Sequence, residues 1–161
     1  KWGSNMILTG DGASKVQVFQ LDGADLLNSS VLLLNNVAAD ATLLLNVSGQ
    51  STGLTSMGLG ALQAYGDRVL FNFFEADLLQ LAGVGIWGSI LAPFADIAQS
   101  QGIIHGTLIA SSFAGTMQQN YNPFQGELGT PVPEPSTLLL FLIGAWGVYR
   151  VSRRRDEKRN D

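Results

Sequence analysis

"WGSILA" at residues 87–92 and "HGTLIA" at residues 105–110 are two versions of one pattern. Each version has a large ring, a glycine, a hydroxyl residue, two branched aliphatic residues and an alanine. A period of about 20 residues is typical of coils that bury their apolar faces only against neighbouring coils. The repeat predicts a mainly β, parallel β-solenoid (β-helix-like) domain, with Ile90 and Leu108 on adjacent coils of one core.

Weaker strand signals surround this repeat. The stretch "VLFNFF" at residues 69–74 precedes the first version by the same interval and predicts a third coil. Leu-Leu-Leu-Asn occurs twice, within residues 31–37 and 42–47, and both runs have the length of buried strands. Residues 16–19 alternate like a half-buried strand, and residues 21–25 have the composition of a turn. A β-sandwich with similar strand spacing is the alternative architecture.

The composition limits the chemistry and the partners. The 161 residues include no cysteine, so disulfides and thiolate metal sites are excluded. Through Glu134 the formal net charge is −7, whereas from Pro135 onward it is +3. Nucleic acid is not expected as a partner of the acidic part, because phosphate binding requires clustered lysine and arginine.

The carboxyl-terminal fifth of the chain differs from the rest in composition. We expect a β-rich domain at residues 1–128, incomplete at its amino-terminal end, and a Pro-rich linker at residues 129–136. An apolar, transmembrane or sorting helix is predicted at residues 137–152, followed by a basic-led cytoplasmic tail at residues 153–161. The membrane-anchor residues are Thr137, Leu138, Leu139, Leu140, Phe141, Leu142, Ile143 and Trp146.

The apolar run is short for a membrane span. The fifteen apolar-run residues 137–151 extend about 22 Å as a helix, against a hydrocarbon core of about 30 Å. A buried core helix is the other interpretation, but the run has no polar stripe, which favours insertion into the membrane. The basic cluster of Arg153, Arg154 and Arg155 predicts that this end stays cytoplasmic and that the domain lies outside the cytoplasm.

The order of these features resembles a PEP-CTERM protein-sorting tail. Its landmarks here are the motif Val132, Pro133, Glu134 and Pro135, the short apolar run and the arginine cluster. The resemblance implies a Gram-negative bacterial protein that is held transiently at the inner membrane. It also implies processing by an exosortase-type membrane peptidase, after which the protein is at the cell surface or secreted. Residues 156–161 extend beyond the point where such tails usually stop.

The body of the chain resembles the choice-of-anchor A family. The resemblance is carried by "NFFEA" (72–76), "GSILAPFAD" (88–96), "GTLIA" (106–110) and "YNPFQG" (121–126). Phe74 stands where that family usually has proline. The resemblance implies a surface β-domain that is adhesive or associated with extracellular polysaccharide or matrix, and it brings no catalytic residues.

No catalytic residue, cofactor or metal is predicted. His105, the one histidine, occupies the repeat position of Trp87, so we expect it to stack rather than to serve as a catalytic base. Asp11, Asp22 and Asp25 lie in glycine-containing stretches, where aspartate commonly forms turns rather than Ca²⁺ ligands.

Two other features bear on enzymatic activity and on ice binding. Glu75 and Asp77 are expected on one face of a strand, and that spacing alone does not indicate a glycosidase pair. The threonines are scattered, whereas ice-binding solenoids present regular Thr-x-Thr ladders.

Two functional hypotheses follow from the sequence. The first is a non-enzymatic, exported cell-surface or extracellular-matrix protein, adhesive or structural, whose tail is an exosortase sorting signal. The alternative is a secreted polysaccharide-acting enzyme on a β-helix scaffold. Carboxylates converging in a cleft would favour the enzyme, whereas a smooth or apolar-striped face would favour adhesion.

Overall fold

The computed structural model describes residues 4–128 and Trp146. Within residues 4–128, β-strands dominate, which confirms the prediction of a mainly β domain. The strands are β1 (Ser4–Thr9), β2 (Val16–Asp22), β3 (Ser29–Asn35), β4 (Thr42–Ser48), β5 (Ser51–Thr55), β6 (Val69–Asn72), β7 (Leu78–Trp87), β8 (Ser89–His105), β9 (Leu108–Gly115) and β10 (Gln118–Asn120). The helices of this part are α1 (Gly23–Asn28) and a 3₁₀ helix (Gly60–Arg68).

Every strand pairing in the described part of the chain is parallel. The pairings form three ladders. The first ladder has the order β2-β4-β6-β8-β9, the second has the order β5-β7-β8-β9, and the third has the order β7-β8-β10. Strands β1 and β3 pair with each other in a separate two-stranded sheet. Because β8 has 17 residues and contributes to all three ladders, the chain passes from one ladder to the next within one strand.

The repeat at residues 87–92 and 105–110 corresponds to the register of paired strands. Ile90 of β8 and Leu108 of β9 are direct partners, as the repeat predicted. Residues 69–74 also enter the first ladder, but Leu70 pairs with Ser89 and not with Gly88, so that interval is slightly longer than the repeat predicted. The parallel pairing differs from the antiparallel pairing of a β-sandwich.

The core lies on the inward sides of the ladders. Leu45, Phe71 and Ile90 occupy one register position on successive strands, and all three are buried. The rings of Phe71 and Phe73 are stacked with their centroids 6.3 Å apart. Parallel in-register pairing places like positions next to each other, so one apolar position per strand produces a continuous apolar column. Burying each such side chain contributes about 1.5–3 kcal/mol.

Two local predictions were wrong. Residues 21–25, predicted as a turn, contain the start of α1, because the Asp22 side chain accepts hydrogen bonds from the N–H groups of Ala24 and Asp25 and caps the helix. Glu75 does not lie on a strand with Asp77. It lies in the turn between β6 and β7, where its carboxylate accepts a hydrogen bond from the Gly49 N–H at 2.6 Å.

Residues 121–128, which we call the return segment, run from β10 back along the stack of strands. The Gln125 N–H donates to the Asp67 carbonyl at 2.7 Å. Further along, the Glu127 N–H donates to the Thr42 hydroxyl at 3.0 Å, and Thr42 is buried. The described chain therefore finishes beside β4 and not beside β9.

Neither helix within residues 4–128 is long and apolar enough to cross a bilayer. The predicted apolar helix at residues 137–152 lies outside the described residues, apart from Trp146. It therefore stays a prediction.

Candidate functional site

The outward side of the first ladder is uncharged in its two middle columns, whereas Asp22, on the same side at the end of β2, caps α1. Alternation along each strand turns every second side chain away from the core. One column of outward residues contains Val18, Leu44 and Leu70, and the next contains Gln20, Asn46, Asn72, Leu91 and Ile109. These eight residues, which we call the outward face, extend about 19 Å across five strands at the usual strand spacing.

The outward face combines aliphatic side chains with amides. The Asn72 Nδ2 donates to the Asn46 Oδ1 at 2.8 Å, so the two amides fix each other's orientation. The aliphatic residues are most accessible at the two ends, where Val18 is 53% exposed and Ile109 is 51% exposed. Such a face can offer apolar contact and neutral hydrogen bonds, which ionic strength affects little. Its columns contain no regular threonine ladder.

A hydrogen-bonded loop, residues 10–15, closes the amino-terminal end of the first ladder. The Gln17 side chain points inward from β2 and is buried. Its Nε2 donates to the Asp11 carboxylate and to the Ser14 carbonyl, the latter at 3.1 Å. The Asp11 N–H in turn donates to the Gln17 Oε1 at 3.3 Å. The inward position that Gln17 occupies on β2, the terminal strand of this ladder, therefore has polar partners.

Asp11 is the centre of this loop. Its carboxylate accepts hydrogen bonds from the Ser14 hydroxyl, from the N–H groups of Ala13 (2.9 Å) and Ser14 (2.8 Å), and from the Gln17 amide. The Ser14 hydroxyl first, and then the other donors, hold the pKa of the Asp11 carboxyl well below its ordinary range. The prediction that this aspartate forms a turn is confirmed.

The carboxyl-terminal end of the stack has no comparable loop within the described residues. Phe113 of β9 is 40% exposed, whereas its register partner Ile97 of β8 is 1% exposed. Leu108 is half-buried although its partner Ile90 is buried. The last strand thus leaves part of the core column open. Residues 97–126 contain no aspartate, glutamate, lysine or arginine.

His105 belongs to a stacked column of the third ladder. Its ring lies 4.0 Å from the Trp87 ring at an interplanar angle of 5°. On its other side, the Asn120 Nδ2 lies 3.2 Å from the His105 Nδ1, and the Gln118 Nε2 donates to the Asn120 Oδ1 at 2.9 Å. The expectation that His105 stacks at the repeat position of Trp87 is confirmed.

Three further carboxylates of the described residues are engaged locally. Asp22 caps α1 and Glu75 bonds the Gly49 N–H, as described above. Asp96 accepts a hydrogen bond from the Ser112 hydroxyl at 2.7 Å. Across residues 4–128, no three histidine, aspartate or glutamate side chains are grouped as a metal site requires.

The residues predicted to carry sorting lie outside the described part of the chain. They are Val132, Pro133, Glu134 and Pro135 of the motif, the anchor residues 137–143, and Arg153, Arg154 and Arg155. The outward face and the partly uncovered β9 end of the stack were not predicted from the sequence. The uncharged run at residues 97–126 was a sequence signal that could have indicated this β9 end.

Together, the parallel ladders and the buried apolar columns between them define a class: a β-domain whose strands pair in parallel. Residues 1–121 match the family model described as "Putative Ice-binding-like adhesive domain", and the chain belongs to this family. That description does not name the choice-of-anchor A family. Residues 131–155 match the PEP-CTERM protein-sorting motif, which confirms that resemblance. No curated protein and no solved structure matches the chain.

Proposed function

We propose that this chain is an exported cell-surface or extracellular-matrix protein of a Gram-negative bacterium, adhesive or structural in role and without enzymatic activity. The match of residues 1–121 to an adhesive family and of residues 131–155 to a sorting motif supports the proposal, because the two lie in one chain in the order that sorting requires. The observation that carries the adhesive part is the uncharged outward face.

In the proposed sorting step, an exosortase recognises residues 132–135 while the apolar run, residues 137–152, is held transiently in the inner membrane. The arginines at 153–155 stay in the cytoplasm, so the domain lies outside it. Prolines on both sides of Glu134 favour an extended backbone, which a peptidase can bind. Glu134 is the one charged group of the motif and is its proposed recognition residue.

We further propose that the three ladders are the faces of a β-solenoid. Gln20, Asn46 and Asn72 follow one another at a constant interval on the first ladder. Beyond β6 the interval is shorter, as the partners Leu91 and Ile109 show. In a solenoid, each coil contributes one strand to each face, so the chain is expected to come back to the same ladder at regular sequence intervals. The choice-of-anchor A resemblance is the finer family proposal, and its landmarks at residues 88–96 and 106–110 fall largely on β8 and β9.

The sorting proposal is tested in an exosortase-bearing bacterium that expresses the full chain. Changing Glu134→Ala should leave uncleaved, membrane-bound precursor, measured by fractionation and by the mass of the released protein. The control is Glu127→Ala, which removes the same charge upstream of the motif and keeps the backbone N–H that bonds Thr42. Normal release of the Glu134→Ala protein would refute the role of the motif.

The adhesive proposal is tested on cells that display the chain. Asn72→Lys places a charge in the middle of the outward face and should reduce attachment to the cells' own polysaccharide matrix under flow. Gln80→Lys, on an exposed position of the second ladder, is the control and should attach normally. Equal attachment of both variants and wild type would contradict this use of the face. Hydrolysis of the matrix polysaccharide by the purified chain would instead support an enzyme.

A further inference from the structure

The outer edge of β9 is free within residues 4–128. β9 pairs with β8 along one side, and no described strand pairs with its other side. Alternate N–H and C=O groups along that edge therefore lack a strand partner. Exposed edges are usually protected by charges, proline or bulges. The sequence of β9, "LIASSFAG", has neither charge nor proline, and the irregularities of the β8–β9 pairing place the extra residues in β8.

The same end leaves apolar surface accessible. A stack of repeats needs a terminal unit with a polar outer side to remain soluble by itself. At the amino-terminal end, the loop at residues 10–15 and Gln17 provide that polar side. At the β9 end, Leu108 in the first ladder and Phe113 in the second ladder are inward-facing apolar side chains that are only partly covered. The β9 end therefore has the character of an interface and not of a cap.

Charge indicates which partner fits. The chain through Glu134 carries a net charge of −7, so two copies repel over most approaches. They can meet at the β9 end, since residues 97–126 are uncharged. The amino-terminal end carries Asp11 and Lys15, and placing an uncharged end against it would desolvate those charges. A second copy presenting its own β9 end is thus the favoured occupant.

We infer that two copies associate end to end through β9, with the two β9 strands antiparallel about a two-fold axis. Each strand supplies the missing backbone partners of the other, and each Phe113 covers the open core column of the other copy. Such a contact is self-complementary, as a two-fold interface requires. The biological purpose of this dimer rests on the proposed adhesive function, since the dimer makes a second copy of this chain the partner in adhesion. The association itself is measurable on purified protein and needs neither tail processing nor attachment.

The test is sedimentation velocity of the full chain in detergent, from about 1 μM to about 100 μM, a range in which a weak interface would be detected. The tail is the same in all variants, so any association through the tail affects every measured Kd equally. Wild type should form dimers in a concentration-dependent way. Ile109→Lys places a charge on β9 and should raise the dimer Kd by about tenfold or more.

Val18→Lys is the matched control. Val18 and Ile109 have nearly equal exposure and lie on the two terminal strands of the first ladder, at opposite ends. Val18→Lys should leave the Kd unchanged. Equal weakening by both substitutions would indicate head-to-tail contact and overturn the inference. A monomeric wild type, or a Kd that neither variant changes, would overturn it as well.

Cross-linking gives a second readout that does not depend on a disruptive variant. The chain has no cysteine, so a single introduced cysteine reports one contact. Ser111→Cys on β9 should form a disulfide-linked dimer on mild oxidation. Ser51→Cys, exposed on β5 in the second ladder, should not. Equal yields from the two variants would reflect random collision and would overturn the inference. Loss of attachment or of sorting with intact dimers would refute the proposed function alone.

Discussion

The two ends of the strand stack are built differently. At the amino-terminal end, the buried Gln17 amide is held by Asp11 and Ser14, so one inward column of the first ladder ends on satisfied polar groups. At the carboxyl-terminal end, an inward column of the second ladder ends on Phe113, which is two-fifths exposed. Both ends close the same kind of parallel ladder. The comparison teaches that strand pairing alone does not determine whether the end of a stack is polar or apolar. The side chains of the terminal strand determine it.

The largest expected effect compares two register partners. Ile97→Ala should lower the free energy of unfolding by about 2–5 kcal/mol, since it removes a fully buried side chain. Phe113→Ala should cost about half as much, although phenylalanine is larger, because its side chain is already partly in water. Urea denaturation of both variants at low protein concentration measures the difference. Equal losses would mean that the β9 end is as well covered as the middle.

Two glycines at positive φ, Gly102 in β8 and Gly115 in β9, give a second contrast between the middle and the end of the stack. A Cβ on Gly102 would lie 2.3 Å from the Val84 carbonyl oxygen, and one on Gly115 would lie 2.3 Å from the Ser100 carbonyl oxygen, both at positive φ. Gly102→Ala should destabilise by about 1–3 kcal/mol, and Gly115→Ala by less, because β9 is a terminal strand and can shift outward. Thermal unfolding measures both. Gly60→Ala is the control, since its Cβ would meet nothing within 4 Å.

At the amino-terminal end, the helix cap is the next test. Asp22→Ala removes the acceptor for the Ala24 and Asp25 N–H groups and should cost about 1 kcal/mol in urea denaturation. Asp25→Ala removes a charge from the same helix without removing the cap acceptor, and should change stability by about 0.3 kcal/mol. If the two variants lose the same amount, charge and not capping is responsible.

The smallest effect concerns pH and the loop at residues 10–15. The lowered pKa of Asp11 means that its ionised form is favoured by folding, so its contribution is present above the ordinary pKa of 3.8 and is lost as the pH falls below that value. Asp11→Asn should therefore lower Tm at neutral pH, and the gap from wild type should narrow below about pH 4. A gap that is constant across this range would show that the carboxylate charge is irrelevant.

The repeat at residues 87–92 and 105–110 predicted the register of β8 on β9 because residues one repeat apart are direct pairing partners. The earlier strand pairings were not recognisable in this way. Between β2 and β4 the chain also forms α1 and β3, and the two paired sequences share only an alternation of apolar residues. Residues 21–25 were predicted as a turn because Asp22 and Gly23 suit turns and helix starts equally.

The sequence by itself determined the mainly β character, the partnership of Ile90 with Leu108 and the sorting motif, because each depends on residues close together or on one short period. Only the tertiary structure decided that Asn46 meets Asn72, that the return segment reaches Thr42, and that one end of the stack is polar while the other is open. The physical reason is that these contacts join positions far apart along the chain, which come together only after the strands between them have paired. Their separation in space follows from how many residues lie between one strand and its partner, which no local pattern records.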